Sequence, residues 1–92
     1  MDKGYHVIWE KSALKELKKM DRFQARIIYD WVEKHLVGNP NPRSKGESMV
    51  GNYLGYWRYK IGDYRLISYI EDDKVLIAIV KIGHRKDVYK RD

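Results

Sequence analysis

Two alternating segments meeting at Gly62-Asp63 constrain this chain more than any other feature. Tyr56-Trp57-Arg58-Tyr59-Lys60-Ile61 precedes the dipeptide, and Tyr64-Arg65-Leu66-Ile67-Ser68-Tyr69-Ile70 follows it. Glycine at the first of two turn positions suits a type II′ hairpin, where a positive φ costs glycine nothing. A two-residue turn fixes the register: Ile61 opposes Tyr64, Lys60 opposes Arg65, Tyr59 opposes Leu66, and Arg58 opposes Ile67. Side chains alternate between the faces of a strand. Trp57, Tyr59, Ile61, Tyr64 and Leu66 therefore share a face suited to a core, and Arg58, Lys60 and Arg65 share the other.

The second face is electrostatically unfavourable as it stands. Like charges directly opposite each other destabilise a sheet, and Arg58 adds a third cation to the Lys60–Arg65 pair. No acidic residue of the hairpin shares that face. Cations held together against repulsion are what a phosphate site requires. The structural alternative is a carboxylate from elsewhere, such as Glu47, folding over to neutralise them. The geometry favours phosphate.

The remaining chain supplies a core for the apolar face. Tyr5-His6-Val7-Ile8-Trp9 alternates as a first strand. Ser12 is placed to cap a helix carrying Ala13, Leu14, Leu17 and Met20 at helical spacing. Asp21 with Gln24 forms a capping-box pattern opening a second helix, whose apolar stripe is Phe23, Ile27, Ile28, Trp31, His35 and Leu36. Gly38, Pro40 and Pro42 end it, and residues 38–52 form a loop long enough to suggest a function. Asp72-Asp73 marks a further turn before a strongly apolar strand from Val75 to Ile82. The order is strand, two helices, three strands. The fold class is α+β, with helices packed on one side of a mainly antiparallel sheet.

Ninety-two residues suit one domain spanning 1–92. There is no cysteine, which excludes a disulfide framework, a thiolate metal site and a cysteine nucleophile. The start, Met-Asp-Lys-Gly, lacks the apolar segment of a secretory signal, and the longest apolar run, Val75 to Val80, is of strand length. A cytoplasmic protein without membrane contact is expected. Lys and Arg outnumber Asp and Glu by 19 to 13, a net charge of +6. Such a field favours polyanions or an acidic protein partner. The excess is uneven: residues 42–66 and 81–92 carry +3 each, whereas 67–80 carry −2. Lysines on the helices are read mainly as a solvated surface.

After Ile82 comes Gly83-His84-Arg85-Lys86-Asp87-Val88-Tyr89-Lys90-Arg91. Gly83 permits a bulge or bend, so side-chain parity beyond it is open. Arginine offers a rigid fork for phosphate oxygens, and tyrosine can stack on a base or exchange a proton. RNA cleavage through the 2′-hydroxyl needs no metal and no cofactor. It needs a base, charge stabilisation on the phosphorane, and a proton for the leaving 5′-oxygen. Neighbouring cations also lower the pKa of a tyrosine or lysine. His84 is the one side chain here that titrates near neutrality unaided, and it stands as a reserve acid or base. Its alternative is an ordinary surface histidine, and Tyr89's is packing of the chain end.

Gly46-Glu-Ser-Met-Val-Gly-Asn-Tyr-Leu-Gly-Tyr-Trp-Arg-Tyr-Lys-Ile-Gly-Asp-Tyr-Arg65 and Ile82-Gly-His-Arg-Lys-Asp-Val-Tyr89 resemble the two signatures of the RelE/ParE superfamily of bacterial toxins, in its RelE branch. The resemblance implies a RelE-like fold and a ribosome-dependent endoribonuclease cutting messenger RNA in the decoding site, with a 2′,3′-cyclic phosphate as product. It also implies a cognate antitoxin protein as partner. By the resemblance, Arg58 and Lys60 match the first phosphate-facing cations and Arg65 the arginine of the returning strand. Arg85 matches the arginine that helps protonate the leaving group, and Tyr89 the general base. Lys45, Lys86 and Lys90 are expected to be further RNA contacts. Arg58 stands where active members carry lysine, an exchange that keeps the charge. Two alternatives share this fold: a ParE-like inhibitor of DNA gyrase, and a non-catalytic basic binding module.

Overall fold

The computed structural model describes residues 4–87. It contains β1 (His6–Trp9), α1 (Lys11–Lys19), α2 (Arg22–His35), β2 (Glu47–Ser48), β3 (Trp57–Ile61), β4 (Tyr64–Glu71) and β5 (Leu76–His84). The strands form one sheet in the order β1-β5-β4-β3-β2, in which β1 runs parallel to β5 and every other pair is antiparallel. The expected α+β architecture is present, and β2 adds a short edge strand within the long loop.

One face of the sheet and the two helices enclose the main core. Ala13, Ile28, Val32 and Leu36 meet Tyr59, Ile61, Leu66, Ile77, Ile79 and Ile82, with Trp57 and Tyr64 packed at the margin. The hairpin's apolar residues therefore lie where alternation put them. Burial pushes the Tyr59 phenol up to about 12, and its hydroxyl donates to the Pro42 carbonyl at 3.0 Å. The long loop is thereby anchored to the core.

Two expectations about the helices need correction. The chain passes from β1 into α1 with Glu10 at the N-cap position, making no side-chain cap. Ser12 lies inside the helix, and its hydroxyl donates to the Val80 carbonyl at 2.7 Å. Phe23 is 78% exposed, because Ile28, Val32 and Leu36 set the buried line of α2 and turn Phe23 away from it. The cap of α2 is as expected: the Asp21 carboxylate accepts from the Gln24 backbone N–H at 3.1 Å.

Candidate functional site

The β3–β4 register is Ile61 with Tyr64, Lys60 with Arg65, Tyr59 with Leu66, and Arg58 with Ile67. At the turn, Gly62 has φ +59°, while Asp63 keeps an ordinary negative φ, the pattern of a type II′ turn. Arg58, Lys60 and Arg65 accordingly emerge together on the sheet face away from the helices. They line one open concavity of about 520 Å³ with Arg85 and Lys86.

A bulge in β5 completes this arrangement. Ile67 pairs with Lys81, but Ser68 pairs with Ile79, so Val80 is an extra residue. Upstream of it Ile77 and Ile79 enter the core, and downstream Ile82 does so as well. Strict alternation through nine residues could not bury all three. The slip also carries Lys81 and Gly83 to the cationic face, where Gly83 lies opposite Arg65. The bulge expected near Gly83 is thus found at Val80, and the hydroxyl of Ser12 satisfies the carbonyl of that bulged residue.

The cations are held individually. Arg65 donates from Nη1 to the Gly62 carbonyl at 3.0 Å and to the Tyr64 carbonyl at 2.9 Å. The Arg85 backbone N–H donates to the Asp63 carbonyl at 2.7 Å, and its Nε lies 3.6 Å from Asp63 Oδ1. Glu47 pairs opposite Arg58 in the β2–β3 ladder. Its carboxylate accepts from Arg58 Nη2, and its other oxygen lies 3.8 Å from Lys60 Nζ. The hydrogen bond from Arg58, then the fields of Lys60, Arg58 and Arg65, hold the Glu47 carboxyl below its usual range. Gly46 makes this possible. A Cβ there would run into the Arg58 carbonyl and the Tyr59 and Trp57 rings, so glycine lets β2 close on β3.

The three hairpin cations therefore converge as the pairing implies, and one carboxylate leans on two of them. Five cations against Glu47 and Asp63 leave a positive surplus. Asp63 as the partner of Arg85 and Lys81 as a further cation on this face were not foreseen from the sequence. The first follows from the hairpin turn meeting the end of β5, the second from the bulge.

Other expected site residues lie apart. His84 pairs with Tyr64 and so falls on the opposite face of the sheet. Its ring meets the Tyr64 ring edge-on at 5.6 Å, and its Nδ1 accepts from the Lys86 backbone N–H at 3.2 Å. The fold does not bring it among the cations. Lys45 ends a short 3-10 turn before β2 and is exposed outside the concavity. Tyr89 and Lys90 lie outside the described residues. Among the described residues, no three His, Cys, Asp or Glu side chains gather as a metal site.

Comparison with known proteins agrees with this geometry. The family model described as "ParE toxin of type II toxin-antitoxin system, parDE" matches residues 7–89. The chain is similar to Toxin RelE of Mycobacterium tuberculosis, with 26% identity over 97% of this chain and 90% of that protein. Its fold is similar to that in the crystal structure of the RelBE2 toxin–antitoxin complex from Mycobacterium tuberculosis, at TM-score 0.80 and 22% identity, covering 89% of this chain and 99% of that one. It is also similar to the isolated Escherichia coli RelE toxin, at TM-score 0.69 and 20% identity, covering 97% and 88%. The archaeal RelE–RelB complex from Pyrococcus horikoshii OT3 gives TM-score 0.67 and 25% identity, covering 95% and 99%. With the matched model spanning nearly all of its length and a RelE-like fold presenting the cationic face, this chain belongs to the ParE toxin family of type II toxin–antitoxin systems, within the RelE/ParE superfamily.

Proposed function

We propose that this toxin is a metal-independent endoribonuclease that cuts messenger RNA in the decoding site of the ribosome and is held in check by a cognate antitoxin. The observation that carries the reading is the convergence of Arg58, Lys60, Arg65, Arg85 and Lys86 on one open concavity. The ribosome, messenger RNA and a cytoplasmic place of action belong to this proposal. No helix among the described residues is long and apolar enough to cross a membrane.

In the proposed reaction the 2′-oxygen attacks the neighbouring phosphorus. The O2′–P bond forms and the P–O5′ bond breaks. One proton leaves the 2′-hydroxyl and one arrives on the 5′-oxygen, giving a 2′,3′-cyclic phosphate and a free 5′-hydroxyl. Charge accumulates on the phosphorane oxygens, where preorganised cations lower the barrier without reorganising. Arg58, Lys60 and Arg65 take that role. Arg85 supports the leaving oxygen, and Tyr89 is the proposed base. Glu47 leaves Arg58 and Lys60 as the scissile phosphate takes its place.

A second reading is favoured by that same Glu47 contact, which partly satisfies the hairpin cations within the protein, and by the ParE description of the matching family. In it the domain inhibits a target such as DNA gyrase by binding alone. Primer extension after expression separates the two readings: discrete cuts inside translated codons support the nuclease, and damaged DNA with intact transcripts supports the inhibitor. On programmed ribosomes, Arg85→Ala should slow single-turnover cleavage about 10²-fold while ribosome binding changes little. Equal losses in both would make Arg85 an anchor.

A further inference from the structure

Beside the cationic concavity the loop between β2 and β3 forms a second hollow. Ser48, Met49, Val50, Asn52, Tyr53 and Arg58 line about 390 Å³ of it. Arg58 lines both hollows, so the two are adjacent. The second has a different chemistry. Its floor is apolar: Met49 is buried against Ile67, with Tyr53, Tyr56 and Val80 packed around them. Val50 is 79% exposed on its wall, an apolar side chain at the mouth of a polar site.

The aromatic wall is held in position. The Lys81 ammonium lies 5.8 Å from the Tyr53 ring centroid and donates to its hydroxyl at 3.3 Å. Tyr56 meets the same ring edge-on at 6.2 Å. A side chain fixed in this way loses little freedom when a ligand packs on it. Asn52 offers an amide with both donor and acceptor, and Ser48 a hydroxyl. Single-stranded RNA is recognised through such a set: a flat apolar or aromatic surface for the face of a base, and polar groups for its edge.

We propose that the Ser48–Tyr53 hollow is a nucleobase subsite, which takes the base of a nucleotide flanking the phosphate held at Arg58 and reads its edge through Asn52. The inference rests on the reading of the concavity as an RNA phosphate site, and it adds the element that selects sequence. The adjacency of the two hollows at Arg58 is its strongest support. A chain whose phosphate sits on that guanidinium has its adjoining base within reach of this hollow and of no other described apolar hollow that Arg58 lines.

The test uses the full chain at low salt and a fluorescent 2′-O-methyl pentaribonucleotide, which lacks the nucleophile and reports binding alone. One abasic position is moved along it. Removing one particular base should weaken binding about ten-fold, with much smaller effects elsewhere. Asn52→Ala and Val50→Ser, both exposed and charge-neutral, should shrink that ten-fold difference towards unity while thermal melting stays at the wild-type value. Asn52→Ala should in addition level the preference among the four bases there. Equal binding of every abasic variant by the wild type overturns the proposal. So does a base dependence that survives both substitutions. A base dependence that both substitutions remove, in a protein that does not cut programmed ribosomes, supports the subsite and defeats the nuclease reading.

Discussion

Glu47 shows how far a single side chain can balance a cluster. It sits against Arg58 and Lys60, yet all three groups remain at least partly open to water. Exposed pairs of this kind contribute little to stability. The carboxylate therefore tempers repulsion at small cost to its own release. Its depressed pKa has a definite consequence for acid stability. A carboxylate that is more acidic when folded than when unfolded adds stability above its unfolded value, and that stability disappears as pH falls through the folded one. Asp72 behaves in the same sense, held low by the Arg43 hydrogen bonds and then by the Tyr5 hydroxyl. Thermal melts of Glu47→Gln should lie slightly below wild type near neutrality and converge with it on acidification to about pH 2, so that the variant shows the shallower decline. An unchanged decline would mean that Glu47 does not engage Arg58 in solution.

At the level of elements, the hairpin is the part that sequence determines most tightly. Gly62 has φ +59°, where a Cβ is strained even though the space around it is open. Gly62→Ala should cost about 1–2 kcal/mol, lowering the melting midpoint by several degrees, with no loss of any cation. A neutral result would show that the turn relaxes to another type. The same tight turn explains why the β3–β4 register and the grouping of Arg58, Lys60 and Arg65 were readable beforehand: two residues leave no slack. β5 was less readable. Val75 to Ile82 is apolar nearly throughout, so alternation gives no phase, and the extra residue is visible only once both sides of the strand have a core to meet. β2 escaped notice because two paired residues make no pattern. Glu47 was legible as a candidate partner, but its geometry depends on the approach of Gly46 to β3. His84 was drawn to the site by its chemistry, and pairing with Tyr64 set it on the other side of the sheet.

Across the whole molecule, the chain carries a net +6, and among the described residues cations line the concavity and lie exposed on the helices, as at Lys11, Lys15, Lys18 and Lys19. The concavity gathers its cations around a hollow. Binding of single-stranded RNA should weaken with salt in proportion to the phosphates neutralised, at a slope of about −0.7 per contact on logarithmic axes. Lys86→Ala should reduce that slope by about 0.7, and Lys11→Ala on α1 should leave it unchanged. Equal reductions would mean that the helices, too, track the nucleic acid. The extra residue in β5 has a bearing on which shortening of the chain such a fold could absorb. Removing Val80 would join Ile79 directly to Lys81, so that the pairs Ser68–Ile79 and Ile67–Lys81 follow one another without a break. Ile82 would keep its place inside and Lys81 its place outside. What would go is the carbonyl that accepts from Ser12 and the aliphatic cover beside Met49 and Ile67, a loss felt in packing and not in the arrangement of charge.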